Sequence, residues 1–441
     1  MEPLTVGFLL IGVMIVLISL GMHIGIVLFG LGITGVYLIR DNPVLALNMT
    51  AISTYSGIQD YLFATIPLFV LMGLLVSISD VGKDTFDVAQ NLLRRVRGGL
   101  GMATVAANAV FAAVTGVSIA SAAVFTKVAV PEMLRHGYTL RFATGTVAGS
   151  SILGMLIPPS LLMIIYGVLA EVSIGKMFVA GVIPGIIIAL GFAALIFVYA
   201  TFFPHKVMAD PARHEAAMHS EPAMGTAEMV QKSVPIMALV ALILVGLYTG
   251  FFTPTEAGGV GAFGALVIAL VRRRLDGPRL WRLLTETGYV SVAILFLLIA
   301  ASFYSRMLSL AGLPEAIGET VATNGFGPYG FLFVYILIIL LLGMLLDSSS
   351  ILLIMVPIAA PIAQKFGFDL IHFGIITIIA VEAGLLTPPF GISVFTVKAT
   401  LEDRSARIED IFAGAMPFVA VMLIALLLIV MFPAMSTALL K

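Results

Sequence analysis

The stretch AGLLTPPFGISVF, residues 383–395, places two adjacent prolines inside an otherwise apolar run. Proline removes a backbone donor and clashes with the preceding helical turn, so a helix here has to break just before Pro388. Gly384 loosens the same turn, because glycine adds backbone freedom. The segment 369–400 is therefore predicted to be a membrane helix that is broken near its middle.

A second proline pair, in SILGMLIPPSLLM at residues 151–163, predicts a second broken helix over 139–170. Pro158 lies 230 positions before Pro388, and other residues recur at the same spacing. These further pairs are Gly154 with Gly384, Pro131 with Pro361, and Gly137 with Gly367. The chain is therefore predicted to contain two copies of one unit.

The amino-acid composition indicates a membrane protein. Of its 441 residues, 60% are hydrophobic and 11% are charged, and the mean hydropathy is +1.14, whereas soluble proteins carry about 25% charged residues. Apolar runs recur along the whole length, which predicts about ten membrane spans. The opening MEPLTVGFLL is interpreted as part of the first span rather than a cleaved signal peptide. A net charge of −1 argues against nucleic acid as a partner, and the absence of cysteine excludes disulfides and thiol chemistry.

Basic residues near the ends of spans indicate orientation, because they stay on the cytoplasmic side. Segment 80–97 contains four of them, and its repeat partner 310–327 contains none. Further along the bias reverses, since 170–176 has one basic residue and 398–407 has three. The two halves are therefore predicted to face opposite ways. An inverted repeat of this kind is typical of secondary transporters.

The repeat also predicts a division of the chain. We expect five regions: scaffold helices of the first repeat at 1–56, its arm, hairpin and broken helix at 57–203, a cytoplasmic linker at 204–232, scaffold helices of the second repeat at 233–287, and its arm, hairpin, broken helix and last span at 288–441. The fold class is an all-α polytopic membrane protein with an inverted repeat.

Each half has a long apolar run before its broken helix, with small or polar residues at the middle of the run. The segments on both sides of the first run carry cytoplasmic signals, so this run is predicted to enter the membrane and return as a re-entrant hairpin. Its tip is expected near Thr115–Ser121, and that of the second hairpin near Leu346–Ser350. Non-helical backbone at that depth needs cover from protein or a water-filled cavity.

The hairpin tips and the interruptions of the broken helices together contain the groups that could form an ion site. The ends of half-helices present free carbonyls to cations and free amides to anions. Hydroxyls and one carboxylate lie at the same places: Thr115, Ser118, Ser121, Ser150, Ser151, Asp347, Ser348, Ser349, Ser350 and Thr387. These hard oxygen ligands suit an alkali cation better than a transition metal. The alternative for any single hydroxyl is a hydrogen bond back to its own helix.

Charges inside a membrane are costly and therefore candidates for function. Asp347 at a hairpin tip is the best candidate. Glu382 either binds a cation, takes up a proton, or caps the broken half-helix. Lys127 and Arg306 lie near predicted segment ends, where they either extend to the interface or meet an anionic substrate.

Four motifs in order carry a family resemblance over essentially the whole chain: TGVSIASAA at 115–123, GSSILGMLIPPSLLMIIYG at 149–167, FTPTEAGGVGAFGAL at 252–266, and IHFGIITIIAVEAGLLTPPFG at 371–391. With these motifs the sequence resembles the large membrane subunit of a tripartite ATP-independent periplasmic (TRAP) transporter.

The resemblance implies a sodium-driven importer of organic acids in the bacterial inner membrane, working as an elevator and not as an enzyme. C4-dicarboxylates and sialic acids are typical substrates, Na⁺ is the coupling ion, and no cofactor is implied. The implied partners are a small four-helix membrane subunit and a periplasmic substrate-binding protein. The family pattern carries sodium ligands to Gly116, Ser118, Gly149, Ser150, Asp347, Ser348, Gly384 and Thr387. The remaining tip and break residues are candidate substrate ligands: Thr115, Ser121, Ser151, Ser349, Ser350 and Glu382.

Two other functions compete with this interpretation. The first is a stand-alone organic anion symporter, coupled to sodium or to protons through Glu382 or Asp347. The second is an intramembrane hydrolase that uses Ser118 or Ser151 with His372 as base, although serine and histidine without geometry are weak indicators.

Overall fold

The computed structural model describes residues 2–210, 224–323, 327–401 and 406–440, and these are almost entirely helical. Within them, seven helices are long and apolar enough to cross a membrane, or eight if one bent helix pair forms a single span. Part of the expected linker (211–223), of the second arm (324–326) and of the loop 398–407 (402–405) lies outside the described residues.

The first half contains four helices before the arm, then the arm, a helical hairpin, an interrupted helix and a long span. In chain order these are α1 (Pro3–Ser19), α2 (Ile24–Arg40), α3 (Pro43–Gln59), α4 (Thr65–Ile78), α5 (Val81–Leu93), α6 (Gly99–Thr115), α7 (Ser118–Arg135), α8 (Leu140–Ser151), α9 (Leu153–Leu156), α10 (Leu161–Leu169), α11 (Ile174–Phe202) and α12 (Pro204–Val207).

The second half has three helices before its arm and follows the order of the first half from the arm onwards. Its helices are α13 (Thr226–Tyr248), α14 (Pro254–Val271), α15 (Gly277–Leu310), α16 (Leu313–Thr323), α17 (Pro328–Gly343), α18 (Ser348–Lys365), α19 (Leu370–Gly384), α20 (Ile392–Thr400), α21 (Ile408–Met431) and α22 (Ala434–Thr437).

The spacing of 230 positions reappears in the helix bounds. Helices α7 and α18 begin and end 230 residues apart, and α8 and α19 begin at that spacing. Gly137 and Gly367, which follow α7 and α18, both have a positive φ, at 77° and 79°. The two halves therefore share local geometry as well as sequence.

Both proline pairs lie between helices. The first separates α9 from α10, and the helix pair that contains it is bent by 43°. The second lies in the seven residues between Gly384 and Ile392. The peptide bonds Pro158–Pro159 and Pro388–Pro389 are both cis. The helix interruptions predicted from the proline pairs are thus present in the chain.

Several element bounds differ from those expected. Helix α13 begins at Thr226, inside the segment 204–232 assigned to the linker. Helix α15 runs without interruption for 34 residues from Gly277 to Leu310, so it crosses the expected boundary at 287. The reason is that its one proline, Pro278, lies in the first turn, where a helix tolerates it, and a single internal glycine, Gly288, does not end a helix.

The hairpins and broken helices lie inside the molecule, and the helices around them face outwards. In α18, 67% of the most apolar stretch is buried, compared with 22% in α13. Helices α4 and α14 pack side by side, and the hydroxyls of Thr65 and Thr255 lie 2.7 Å apart. Exposed apolar side chains on the outer helices, such as Phe263 and Leu242, fit a lipid environment, since the surrounding solvent there is itself apolar.

Ion pairs join the first arm to the second half. Arg272 and Arg274, at the end of α14, contact Asp84 and Asp80, and Lys232 Nζ lies 2.7 Å from Asp87 Oδ2. This end of the molecule also carries the basic residues of segment 80–97, so the positive-inside rule predicts that it faces the cytoplasm.

Candidate functional site

The tip of the first hairpin lies against the first helix break. Helix α6 ends at Thr115, Gly116 turns the chain with φ of 62°, and α7 begins at Ser118. A left-handed residue at this position favours glycine, which has no Cβ to clash. The Gly116 carbonyl accepts a hydrogen bond from the Leu161 amide at 3.3 Å.

The tip of the second hairpin is closed by an acidic cap. Asp347 Oδ2 accepts a hydrogen bond from the Ser350 amide at 3.1 Å, and the Ser350 hydroxyl also binds this carboxylate. Such a cap satisfies a free amide at the start of α18. The Asp347 side chain is exposed, while Ser350 is buried. The carboxylate therefore organises the tip and keeps an open side.

Glu382, on α19, lies where both hairpin tips meet. It is completely buried, and Ser348 Oγ donates a hydrogen bond to its Oε1 at 3.0 Å. The hydroxyl of Ser118 also faces this carboxylate. Its Oε2 has no hydrogen-bond partner among the described residues. Ser118 and Ser348 are the first residues of α7 and α18, 230 positions apart, so equivalent residues of the two halves face one carboxylate, and Ser348 is hydrogen-bonded to it.

A second polar contact joins the first hairpin to the first broken helix. Asn108 Nδ2, on α6, donates to Ser150 Oγ at 2.7 Å, and Ser150 Oγ donates to the Thr146 carbonyl at 2.7 Å. Both residues are fully buried, and Asn108 Oδ1 is without a partner in the described part of the chain. Sequence reasoning missed Asn108, although an isolated amide in the run GMATVAANAVFAAV is itself unusual in a membrane.

Other candidates bind their own helices instead. Thr115 Oγ1 donates to the Phe111 carbonyl at 3.0 Å, Ser151 Oγ to the Ala148 carbonyl at 2.8 Å, and Thr387 Oγ1 to the Ala383 carbonyl at 2.9 Å. This is the alternative given above for each of these hydroxyls, and each oxygen keeps its acceptor lone pairs when it donates in this way.

The remaining predicted residues are of two kinds: glycines that allow close helix contacts and serines with a hydroxyl at the tips. A Cβ at Gly149 would lie 2.4 Å from the Phe418 ring, and one at Gly384 would lie 2.8 Å from Gly343 Cα, so both glycines permit close helix contacts. Ser121 is buried, with no partner for its hydroxyl in the described residues. Ser349 is half-buried at the second tip.

The arrangement is poor in groups for transition metals and rich in neutral oxygens. No cluster of three or more His, Cys, Asp or Glu residues occurs in the described residues. His372, the base of the hydrolase alternative, contacts Ser436 Oγ at 2.6 Å through Nδ1, and Ser151 is bonded to its own helix. The geometry therefore fits a binding site for ions and polar ligands.

These features define a polytopic membrane transporter, with polar tips and broken helices enclosed by apolar spans. Residues 11–435 match the family model of the tripartite ATP-independent periplasmic transporter, DctM component. The chain belongs to this family, as the sequence motifs predicted, and is a multi-pass permease of the bacterial TRAP type, not an enzyme.

Individual proteins agree with the family assignment. The chain is 32% identical to the C4-dicarboxylate TRAP transporter large permease protein DctM of Pseudomonas aeruginosa, over 93% of each chain. It is 28% identical to the isethionate TRAP transporter permease protein DctMQ of Oleidesulfovibrio alaskensis, over 98% of this chain and 66% of that protein. The crystal structure of the Alcanivorax borkumensis YdaH transporter resembles it in fold, with a TM-score of 0.59 at 14% identity and 90% of each chain covered.

Proposed function

We propose that this permease imports a small organic anion by sodium-coupled, elevator-type transport. The observation that carries the proposal is the contact of both hairpin tips with Glu382. Ser118 and Ser348, equivalent by the repeat, converge on a buried carboxylate that has a free oxygen in the described structure. A bound cation would satisfy that oxygen and draw the two tips together.

Unpaired buried oxygens on α6 and α19 support a cation as the missing partner. Leaving a buried acceptor unpaired costs about 1–3 kcal/mol, and both Asn108 Oδ1 and Glu382 Oε2 are in this condition within the described chain. The proposed sodium ligands remain Gly116, Ser118, Gly149, Ser150, Asp347, Ser348, Gly384 and Thr387. Asn108 joins them through its bond to Ser150.

Coupling follows if sodium binds before the anion. Sodium would fix the tips against the breaks, so that amides and hydroxyls are already aligned when the substrate arrives. Candidate substrate ligands remain Thr115, Ser121, Ser151, Ser349, Ser350 and Glu382. By reciprocity, the anion would strengthen sodium binding by the same factor.

The elevator proposal assigns motion to the enclosed part of the molecule. In it, the hairpins and broken helices of 57–203 and 288–441 move as one body against the scaffold helices of 1–56 and 233–287, with 204–232 as linker. The predicted inverted repeat supports this motion. In such transporters the outward-open and inward-open states are related because each half takes up the conformation that the other half had in the opposite state.

Partners and substrate follow from the relatives. A TRAP system is tripartite, so we propose that this chain works with a small membrane subunit and a periplasmic binding protein. The isethionate relative is called permease protein DctMQ, and this chain matches 66% of its length. Since relatives are named for a dicarboxylate and for a sulfonate, the substrate class is a small organic acid.

The test is uptake into proteoliposomes that contain the chain with its small subunit, using labelled organic acids delivered by the cognate binding protein. Inward sodium and proton gradients are imposed separately. Ser118→Ala and Ser348→Ala are each expected to lower sodium-driven uptake at least tenfold, because each removes a hydroxyl from the tip contact. Thr126→Ala is the matched control and should keep most of the uptake, since Thr126 is buried on the same helix as Ser118 and its hydroxyl donates to the Ala122 carbonyl of that helix at 2.6 Å.

A proton gradient is the competing driving force. It is favoured specifically by the burial of Glu382, which could exchange a proton in place of binding sodium. Uptake driven by a proton gradient without sodium would replace sodium with protons in the proposal. Uptake that needs no binding protein would overturn the tripartite part.

A further inference from the structure

A polar cleft opens at the end of the molecule opposite the first arm. Its volume is about 600 Å³. One wall consists of α3, the turn after it and α15, and the other of the turn between α10 and α11. Arg306 lies four residues before the end of α15 at Leu310, whereas the ion pairs with the basic first arm lie near the other end of this helix. By the positive-inside rule, the cleft opens to the outside.

Arg306 brings a positive charge to this cleft without a counter-charge. Its side chain is exposed in the cleft, and Nη1 donates to Ser53 Oγ at 3.3 Å. Within the described residues, no carboxylate oxygen lies within 4.0 Å of the guanidinium. Ser302 and Ser305 line the cleft from the preceding turn of the same helix. A guanidinium with hydroxyls beside it is the arrangement that binds carboxylates and sulfonates, because its paired N–H groups match two acceptor oxygens.

Two acidic residues also line the cleft, and they limit what it can accept. Asp60 Oδ1 accepts a hydrogen bond from the Leu62 amide at 2.9 Å and so serves a cap. Glu171 occupies the turn after α10, where its backbone has φ of 53°. Both oppose additional negative charge through Coulomb repulsion. The cleft therefore favours a ligand with a single anionic group near Arg306.

We propose that this cleft is the external vestibule of the transport pathway, and that Arg306 is the first contact for the carboxylate or sulfonate of the arriving substrate. The proposal rests on the proposed function, because it assumes that the chain carries an organic anion. The competing role for Arg306 is to extend to the membrane interface, where it would anchor α15 and meet no substrate.

A measurement that does not need transport tests the charge of the vestibule. Since the chain contains no cysteine, Ser305→Cys provides a single thiol in the cleft. We compare its reaction rates with an anionic and a cationic methanethiosulfonate reagent, in the protein purified with its small subunit. Adding Arg306→Gln is expected to lower the anionic-to-cationic rate ratio at least fivefold, and adding Glu171→Gln to raise it.

If Arg306→Gln lowers the rate ratio and Glu171→Gln raises it, local electrostatics explains the result. Disturbed folding would instead change the rate ratio in the same direction in both variants. Arg306→Lys keeps the charge and should keep most of the ratio. An unchanged ratio in Arg306→Gln would overturn the vestibule proposal, as would a thiol at position 305 that neither reagent reaches.

Uptake then links the vestibule to transport. Arg306→Gln should lower the uptake rate at low substrate concentration at least tenfold, with an unchanged half-saturating sodium concentration, because sodium binds at the tips. If the unsubstituted protein carries no organic anion at all, the proposed function fails even where the rate ratios shift. If it carries anions and Arg306→Gln carries them at the same rate, the vestibule role fails alone.

Discussion

At the scale of single residues, the buried carboxylate of Glu382 is better explained by a role in transport than by a role in stabilising the fold. A charged group at a helix centre in a membrane costs about 2.5–3.5 kcal/mol, and this carboxylate is buried with only hydroxyl partners facing it in the described structure. A residue that only stabilised the fold would be better replaced by a neutral one. Its presence is explained if a cation or a proton occupies the site during transport.

Glu382→Gln tests this explanation, because the amide oxygen can still accept the hydrogen bond from Ser348. We expect sodium-driven uptake to fall at least tenfold, while the thermal unfolding temperature in detergent stays the same or rises. Glu382→Asp, which keeps the charge, should retain part of the uptake. A lower unfolding temperature together with lower uptake would instead indicate a structural role for the carboxylate.

The residues show where sequence reasoning succeeds and where it stops. Ser118 and Ser348 are expected at the hairpin tips, and the structure has them as the first residues of α7 and α18, while their role as ligands stays a prediction. Asn108 could not be found from the repeat, since Ile338 stands 230 positions later. Ser150 and Ser151 are adjacent, yet only Ser150 faces the hairpin, because successive residues of a helix point about 100° apart. Which of them faces inward depends on packing, which the sequence does not state.

At the scale of elements, close helix contacts depend on particular glycines. Helices α8 and α21 cross where Gly145 meets Gly414, and a Cβ at position 145 would lie 2.2 Å from the carbonyl carbon of Gly414. The obstacle is backbone, which cannot rotate away as a side chain can. This crossing fixes the first half of the broken helix against the last span.

Gly145→Ala is therefore expected to destabilise the protein by about 1–3 kcal/mol, the usual cost of overpacking a core. Thermal unfolding in detergent should show a lower transition temperature. Gly288→Ala is the matched control, since it also lies within a helix but a Cβ there meets no described atom within 4 Å. An equal effect of the two substitutions would refute the close-contact explanation.

Those features of the helices that depend on local sequence signals could be predicted. Proline pairs and positive-φ glycines interrupt helices for reasons internal to the chain, so the breaks and the hairpin tips could be placed from sequence. The continuity of α15 across residue 287 and the early start of α13 could not be predicted in this way. The stretches concerned, 226–232 and 277–287, contain charged residues such as Glu228 and Arg282, so composition places them outside the apolar layer, whereas a helix can continue beyond that layer into water.

At the scale of the whole molecule, the predicted inverted repeat places the two arms on opposite faces of the membrane. The arm of the first half is α5 and the arm of the second half is α16, and the two helices end 230 positions apart. Lys83 on α5 and Glu315 on α16 are both exposed. The chain has no cysteine, so a thiol introduced at either place reports its own side without background.

We expect a membrane-impermeant maleimide, added to spheroplasts that express the single-cysteine variants, to label Glu315→Cys and to leave Lys83→Cys unlabelled. Permeabilised membranes provide the control, because both thiols should then react. The physical reason is the basic charge of the first arm, which holds it on the cytoplasmic side. If the reagent labelled both positions in intact spheroplasts, the arms would share one face, and the two halves could not be inverted copies around a common midplane site.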